Sequence, residues 1–369
     1  MMNFSYWELK EWFTDVDFTI IGSGIVGLNC ALYLKKRYPN ASVLILEKGI
    51  LPQGASSKNA GFACFGSLSE LIDDLNNHST EEVFNLVKNR WEGLELLREN
   101  LGDKYINYKH YKGYELFDSA PFFEECIAMQ PAINNMLKPL FNAAVFGVSE
   151  NCFKFNNIHP NYIVNHFEAQ IDTGKMIAKL LNKVQRLGVK ILNNITVEDY
   201  VETSNGVVVK TNHMDFLTKT LSIATNGFAH HLLNEDVRPA RAQVLITKPI
   251  ENLHIKGTFH LDKGYYYFRN IDNRILLGGG RNLDFKTETT TVFGETPRIQ
   301  NRLEHLLKEI ILPNTPFEID HRWSGIMGVG NQKKAIVKPL SNRVFCGVRL
   351  GGMGVAIGSL VGKELAELI

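Results

Sequence analysis

Gly22, Gly24 and Gly27 form the run Gly-Ser-Gly-Ile-Val-Gly between two segments of different character. Before it, Phe18 to Ile21 is apolar and β-branched, the composition of a fully buried parallel strand. After it, Leu28, Ala31, Leu32 and Leu34 keep helical spacing, and Lys35, Lys36 and Arg37 close the segment with cations that suit the negative end of a helix dipole. Such a turn holds a pyrophosphate. The first glycine permits the tight turn, the second lets phosphates approach the backbone, and the third lets helix and strand pack closely. Gly24, Ile25 and Val26 then offer unpaired N–H groups and the positive end of the dipole. Val43 to Leu46 reads as a second buried strand, ending in Glu47 and Lys48. A carboxylate at that place binds ribose hydroxyls and disfavours a 2′-phosphate, so NAD or FAD is expected rather than NADP.

Two further stretches are rich in small residues. Gly54, Ala55, Ser56, Ser57, Asn59, Ala60, Gly61 and Phe62 follow Glu47 directly, with hydroxyls able to bond phosphate oxygens. Gly351, Gly352, Met353, Gly354 and Val355 separate an apolar strand from a final helical stretch. Candidates for holding a substrate lie between 241 and 327. Arg281 follows three glycines, where its fork of donors could hold a carboxylate. Tyr265, Tyr266 and Tyr267 alternate faces on a strand, so Tyr265 and Tyr267 could wall a site while the other packs. Arg322 is a second candidate, between His321 and Trp323, and Arg241 and Gln243 begin another strand. His230 and His231 read as capping or surface residues, and Cys346 as an inert core thiol.

These groups need a scaffold of two domains or one large one, as 369 residues allow. Forty basic against 39 acidic side chains leave a charge of +1, without the basic excess of a duplex-wrapping protein. Hydrophobic content of 44% fills a core, and no apolar run has the length of a membrane span. The N-terminus lacks the order of a signal peptide. Five cysteines without a C-x-x-C pair argue against a disulfide framework or a metal site and fit the cytoplasm. Along the chain, 67–102 is helical, Tyr108 to Asp118 strand, Pro121 to Met136 irregular or helical, and 171–187 helical. Strands follow at 188–192, in a hairpin around Asn205-Gly206, and through much of 244–280. With no linker or repeat, the two domains must interleave.

Over most of its length, and most specifically over 18–66 and 321–369, the chain resembles the flavin-dependent D-amino-acid oxidase superfamily, which includes glycine oxidase, sarcosine oxidase and γ-glutamylputrescine-type amine oxidases. The resemblance rests on Gly54, Ala55, Ser56, Ser57, Asn59, Ala60, Gly61 and Phe62, which match the family's stretch under the pyrophosphate and isoalloxazine. It extends to Val197, where the family presents backbone to the adenine, and to Ala224, Thr225, Asn226 and Gly227, which match its turn over the dinucleotide. Gly325 and Gly351 to Val355 match its closing pattern. It is weakest over 67–150. The resemblance implies an α/β fold: a Rossmann-like FAD-binding domain (1–75, 150–238 and 324–369) interleaved with an α+β substrate domain (76–149 and 239–323) on a large, mainly antiparallel sheet. It further implies that Gly351 to Val355 face the flavin N1/C2=O edge.

The implied activity is removal of hydride from the carbon beside an amine of an amino acid or small amine, giving an imine that hydrolyses. FAD is expected to be non-covalent, with O2 or another acceptor, and no nucleic-acid partner. Two departures stand out. Gly325-Ile326-Met327-Gly328 replaces the arginine–proline that fixes a carboxylate in glycine-oxidase-type members, and Leu276 stands where sarcosine oxidases place an oxygen-activating lysine. A flavin-binding protein without catalysis and a membrane-docking glycerol-3-phosphate dehydrogenase-like enzyme are the alternatives. For the latter, the Trp7/Trp12 segment would be the anchor, but Glu8 and Glu11 disfavour anionic lipid, and packing on the protein is expected.

Overall fold

Two eight-stranded sheets share the work of the molecule, whose computed structural model describes residues 4–369. In the first, Val16–Ile21 lies between Val43–Leu46 and Asp215–Ile223, all parallel. Lys190–Leu192 extends one edge, while Val344–Val348 and Ile336–Pro339 extend the other. The central strand is buried at its end near the glycine turn, through Thr19, Ile20 and Ile21, which suits their largely apolar, β-branched character. Helix Ile25–Arg37 packs on this sheet against the last helix, Gly354–Glu367. Their backbones approach closely because a Cβ on Gly358 would lie 2.5 Å from Ile25 Cγ2, and one on Gly362 2.5 Å from Asn29 Cβ. Leu28, Leu32, Ile45, Leu180, Val361 and Leu365 form the core between the layers.

The second sheet runs Ile319–Val329, Arg238–Thr247, Arg274–Gly279, Tyr266–Ile271, Thr258–Leu261, Gly113–Leu116, Asn161–Asn165 and Phe146–Glu150. Every pairing but that of Thr258–Leu261 with Gly113–Leu116 is antiparallel. One face is covered by helix Pro297–Leu306 and its continuation to Ile311, over Leu245, Phe259, Phe268 and Leu277. The other faces the first sheet across a cavity. By sheet membership the limits drawn at 150 and 324 move, since Asn161–Asn165 and the whole of Ile319–Val329 pair within the second sheet.

Some local expectations change. The strand expected over Tyr108 to Asp118 shrinks to Gly113–Leu116, and the region around Pro121 to Met136 is a long helix, Ala120–Phe141, that contains Pro131 and Pro139. The Trp7/Trp12 segment is divided. Trp12 and Phe13 pack on the first sheet's outer core, with Lys190 5.6 Å over the Trp12 ring, whereas Trp7 is 72% exposed. No helix among the described residues is long and apolar enough to cross a membrane.

Candidate active site

The glycine turn after the first strand and the glycine turn before the last helix meet at one cavity of ≈ 1340 Å³. Gly22, Gly24, Ile25 and Val26 line it, as do Glu47 and Lys48, Ser56 and Asn59 to Phe62, Ala224 to Asn226, Gly325, and Gly351 to Val355. Val197 lines the end beside Glu47, and Tyr265, Tyr267 and Arg281 line the side formed by the second sheet. Residues as far apart in the chain as Gly22 and Val355 therefore wall a single space, because both sheets direct their loops into it.

Hydrogen bonds hold the walls together. Ile25 N–H donates to Ser56 Oγ (2.9 Å), joining the first glycine turn to the 54–62 segment. Trp323 Nε1 donates to the Lys58 carbonyl (2.9 Å), joining that segment to the second sheet. Asn226 Oδ1 accepts from Arg349 and Leu350 N–H (3.0 and 3.2 Å), which fixes the approach to Gly351. The Glu47 carboxylate accepts from Ser23 N–H and Oγ (3.0 and 2.7 Å) and from Gly49 N–H (3.0 Å), so the turn and the acid position each other.

A model of the family described as "FAD dependent oxidoreductase" (DAO) matches residues 17–368. The chain belongs to this family. It is 22% identical over 425 residues to the probable oxidoreductase OrdL of Haemophilus influenzae, covering 100% of this chain and 90% of that protein. It is 22% identical over 373 residues to the gamma-glutamylputrescine oxidoreductase of Escherichia coli, covering 96% and 83%. Among solved structures, glycine oxidase from Geobacillus kaustophilus superposes with a TM-score of 0.76 at 20% identity over 95% of this chain and 94% of that one. The chain is thus an FAD-dependent oxidoreductase with the DAO fold.

The residues at the cavity fit FAD. Helices beginning at Tyr6, Leu68, Thr80 and Thr173 are capped by a side chain, and those beginning at Ala120 and Pro297 carry a proline in the first turn. The two that start at the cavity have no capping side chain on their own N-cap residue and no proline, and in the first of them the Ile25 N–H is taken up by Ser56. In the last helix the first bond is Ile357 N–H to Met353 C=O (3.0 Å), leaving the N–H groups of Gly354, Val355 and Ala356 without a backbone acceptor among the described residues. The Thr225 hydroxyl is buried without a partner among the described residues. A Cβ on Gly54 would meet nothing within 4 Å, and Gly351 (φ +59°) is nearly as open. Unpaired donors around open space call for an acceptor-rich ligand such as a dinucleotide.

Not every expected contact reaches the cavity. Gly27 lies behind the turn, where a Cβ would fall 2.0 Å from Gly22 O, and Gly227 lies against Met327 O at 2.4 Å on the same measure. Ser57 Oγ donates to Pro52 O (2.5 Å), within its own turn rather than toward a phosphate. Arg322 is a correction. Strand alternation sets Trp323 on the cavity side and Arg322 on the opposite face, where helix Pro297–Leu306 supplies Gln300 (2.5 Å) and Glu304 (2.7 Å) as its partners. His231 is exposed at the surface, as expected, and also lines the cavity.

The sheet side carries a row set by register: Glu115, His260, Tyr267, Gly278 and Val244 are successive partners across adjacent strands. A Cβ on Gly278 would fall 2.7 Å from Tyr267 Oη, so the missing side chain gives the ring its room. Burial pushes the Tyr267 phenol up to about 12, which keeps it a donor. His260, absent from the sequence reading, is locked to Glu168 (Nε2–Oε1 2.6 Å), and its ring meets Phe62 edge-on at 5.3 Å. Burial alone would lower the imidazole, but the charge and hydrogen bond of Glu168 raise it to about 9. Glu70 and Asp73 also line the cavity and were not expected.

Arg281 stands apart electrostatically. It is half-buried, and its guanidinium stacks 4.7 Å from the Phe285 ring centroid without any carboxylate in ion-pair range among the described residues. Desolvation lowers it from the ordinary arginine value, with Tyr265 and Glu288 opposing.

Proposed function

We propose that this enzyme oxidises the carbon beside the amine of an amino acid, with Arg281 as the carboxylate anchor. The observation that carries this reading is Arg281 on the cavity wall near Tyr265, without a carboxylate partner among the described residues. A partly desolvated guanidinium binds a carboxylate through two parallel bonds more strongly than a solvated one does. The chemistry supplied by bound FAD is hydride acceptance. The chain's own residues do the rest. Arg281 fixes one end of the substrate, Tyr265 and Tyr267 limit its rotation, and Val244, Ile326 and Met327 keep the reacting carbon in apolar surroundings. The imine product leaves to be hydrolysed.

FAD is held non-covalently in this reading. Met327 occupies the wall near the last glycine turn, and the cavity thiol, Cys64, is raised well above its ordinary value by burial and the neighbouring carboxylates, which leaves it a poor nucleophile. Five free cysteines suit a cytoplasmic enzyme.

A second reading, oxidation of an amine lacking the carboxylate, is favoured by Glu70 and Asp73, although Lys263 lies 3.6 Å from Asp73. Steady-state kinetics of wild type and Arg281→Met on matched amino acids and their decarboxylated amines separate the two. Loss of a charged hydrogen-bonded anchor costs about 1.5–3 kcal/mol, so KM for the amino acid should rise by tenfold or more while the amine is unaffected. Equal turnover of the amino acid by both proteins would reject the anchor.

A further inference from the structure

Four arginines are buried: Arg90, Arg241, Arg269 and Arg349. Arg90 donates to Phe65 O (2.8 Å), Arg241 forms a two-point pair with Glu288, and Arg349 meets Asp236 (3.2 Å). Arg269 is only 2% exposed and makes no ion pair among the described residues, and its Nε is buried without any hydrogen-bond partner. The nearest carboxylates that it feels, Asp172 and Asp272, stand off. Asp172 is engaged as the cap of helix Thr173–Arg186, accepting from Lys175 N–H (2.9 Å).

The position of this charge is defined by register. Arg269 lies on strand Tyr266–Ile271 two residues beyond Tyr267, so it shares the face that Tyr267 turns toward the cavity. Its cross-strand partner is Leu276, which packs on Ala60. Gly61 covers it: a Cβ there would fall 2.9 Å from Arg269 Nη2. Ala60, Gly61 and Phe62 line the cavity, and the guanidinium therefore stands one backbone layer behind that wall.

Burying a cation without a counter-ion opposes folding, and desolvation lowers this one to about 10, which still leaves it charged at neutral pH. Such a charge is useful where negative charge appears close by in a low-dielectric setting. Hydride uptake adds two electrons and one proton to FAD, so the reduced cofactor carries one more negative charge than the oxidised one. We propose that Arg269 is the electrostatic partner of that charge, acting through the Ala60–Phe62 wall to raise the reduction potential of FAD. This rests on the flavin ring lying against Ala60–Phe62 and is independent of the substrate.

The test uses the FAD-loaded and FAD-stripped forms of wild type, Arg269→Met, Arg269→Gln and Arg269→Lys. The measurements are thermal midpoints of the stripped proteins, FAD reduction potentials, and sulfite dissociation constants from bleaching of the flavin band. None of these needs a substrate, so a wrong substrate leaves the result intact. Arg269→Met should keep or raise the stripped protein's thermal midpoint while its potential becomes more negative and its sulfite affinity falls at least tenfold. Arg269→Lys should stay within threefold of wild type in sulfite affinity. Unchanged potential and sulfite affinity in Arg269→Met, or a Lys variant as impaired as Met, would overturn the proposal. Should the Met variant not fold, Arg269→Gln decides on the same criteria.

Discussion

Ile25 and Ser56 are joined by a 2.9 Å hydrogen bond from the helix's first N–H to the serine hydroxyl, and Gly24 is the residue that lets them meet. A Cβ on Gly24 would lie 2.8 Å from Ser56 Oγ. The same contact that closes the protein wall would set how near a pyrophosphate held by this turn could come.

Gly24→Leu should break this arrangement at the phosphate end while leaving the hydrophobic layers intact. The expected outcome is a folded protein that purifies without yellow colour, or with FAD affinity at least tenfold weaker by titration. A variant as yellow as wild type would put the diphosphate elsewhere.

Gly61 tests the platform behind which Arg269 sits. Its φ is +74°, and a Cβ would fall 2.4 Å from Ile171 O. Left-handed backbone costs a non-glycine residue about 1–2 kcal/mol, and the clash with a backbone oxygen adds to it. Gly61→Ala should therefore lower the thermal midpoint by several degrees and reduce FAD content, both readable by melting with intrinsic flavin fluorescence.

The Arg241–Glu288 pair holds the segment that brings Val292 and Phe293 to the cavity. Glu288 is fully buried and accepts from Arg241 Nε and Nη2 (2.8 and 2.9 Å) and from Gln243 Nε2 (3.0 Å), while Arg241 Nη1 donates to Val292 O (3.2 Å). Removing one partner of a buried pair costs about 3–5 kcal/mol, whereas replacing both with apolar residues is often neutral. Denaturant unfolding should show Glu288→Ala strongly destabilised and the double variant Arg241→Met/Glu288→Leu much closer to wild type.

His260 gives the fold a defined pH response. Its folded-state value is raised to about 9, against an ordinary value near 6.5, so the Glu168 pair contributes its full stability below about pH 6.5. That contribution, on the order of a few kcal/mol at about 1.4 per pH unit, is lost as pH rises through 9. Thermal midpoints measured from pH 6 to 10 should fall for wild type across this window relative to His260→Leu. Parallel curves would show that the pair does not titrate there.

Local patterns pointed to the first of the glycine turns that wall the cavity. The buried strand Val16–Ile21, the glycine turn and Glu47 follow one another within a single βαβ unit, so their chemistry is visible without knowing the rest. Alternation likewise separated Tyr265 and Tyr267 from Tyr266, which packs in the second core. Arg322 went the other way because a strand's period says which residues share a face but not which face is covered. The apolar spacing of Ile299, Leu303, Leu306 and Ile310 could have signalled the covering helix, and with it the true side of Arg322. Arg269, in the alternating run Tyr267-Phe268-Arg269, carried a signal too: a charge in phase with the cavity-facing tyrosine. The His260–Glu168 pair carried none, since its members lie 92 positions apart.

We propose, centrally, that this FAD-dependent oxidoreductase takes hydride from the carbon beside an amine at the cavity walled by both glycine turns. Anaerobic photometry tests it most directly: the purified yellow protein is mixed with a panel of amino acids and amines, and the flavin absorbance is followed. Bleaching by at least one α-amino acid, slowed at least tenfold in Arg281→Met, is the predicted result. A protein whose colour survives every member of the panel yet is discharged by dithionite would contradict it.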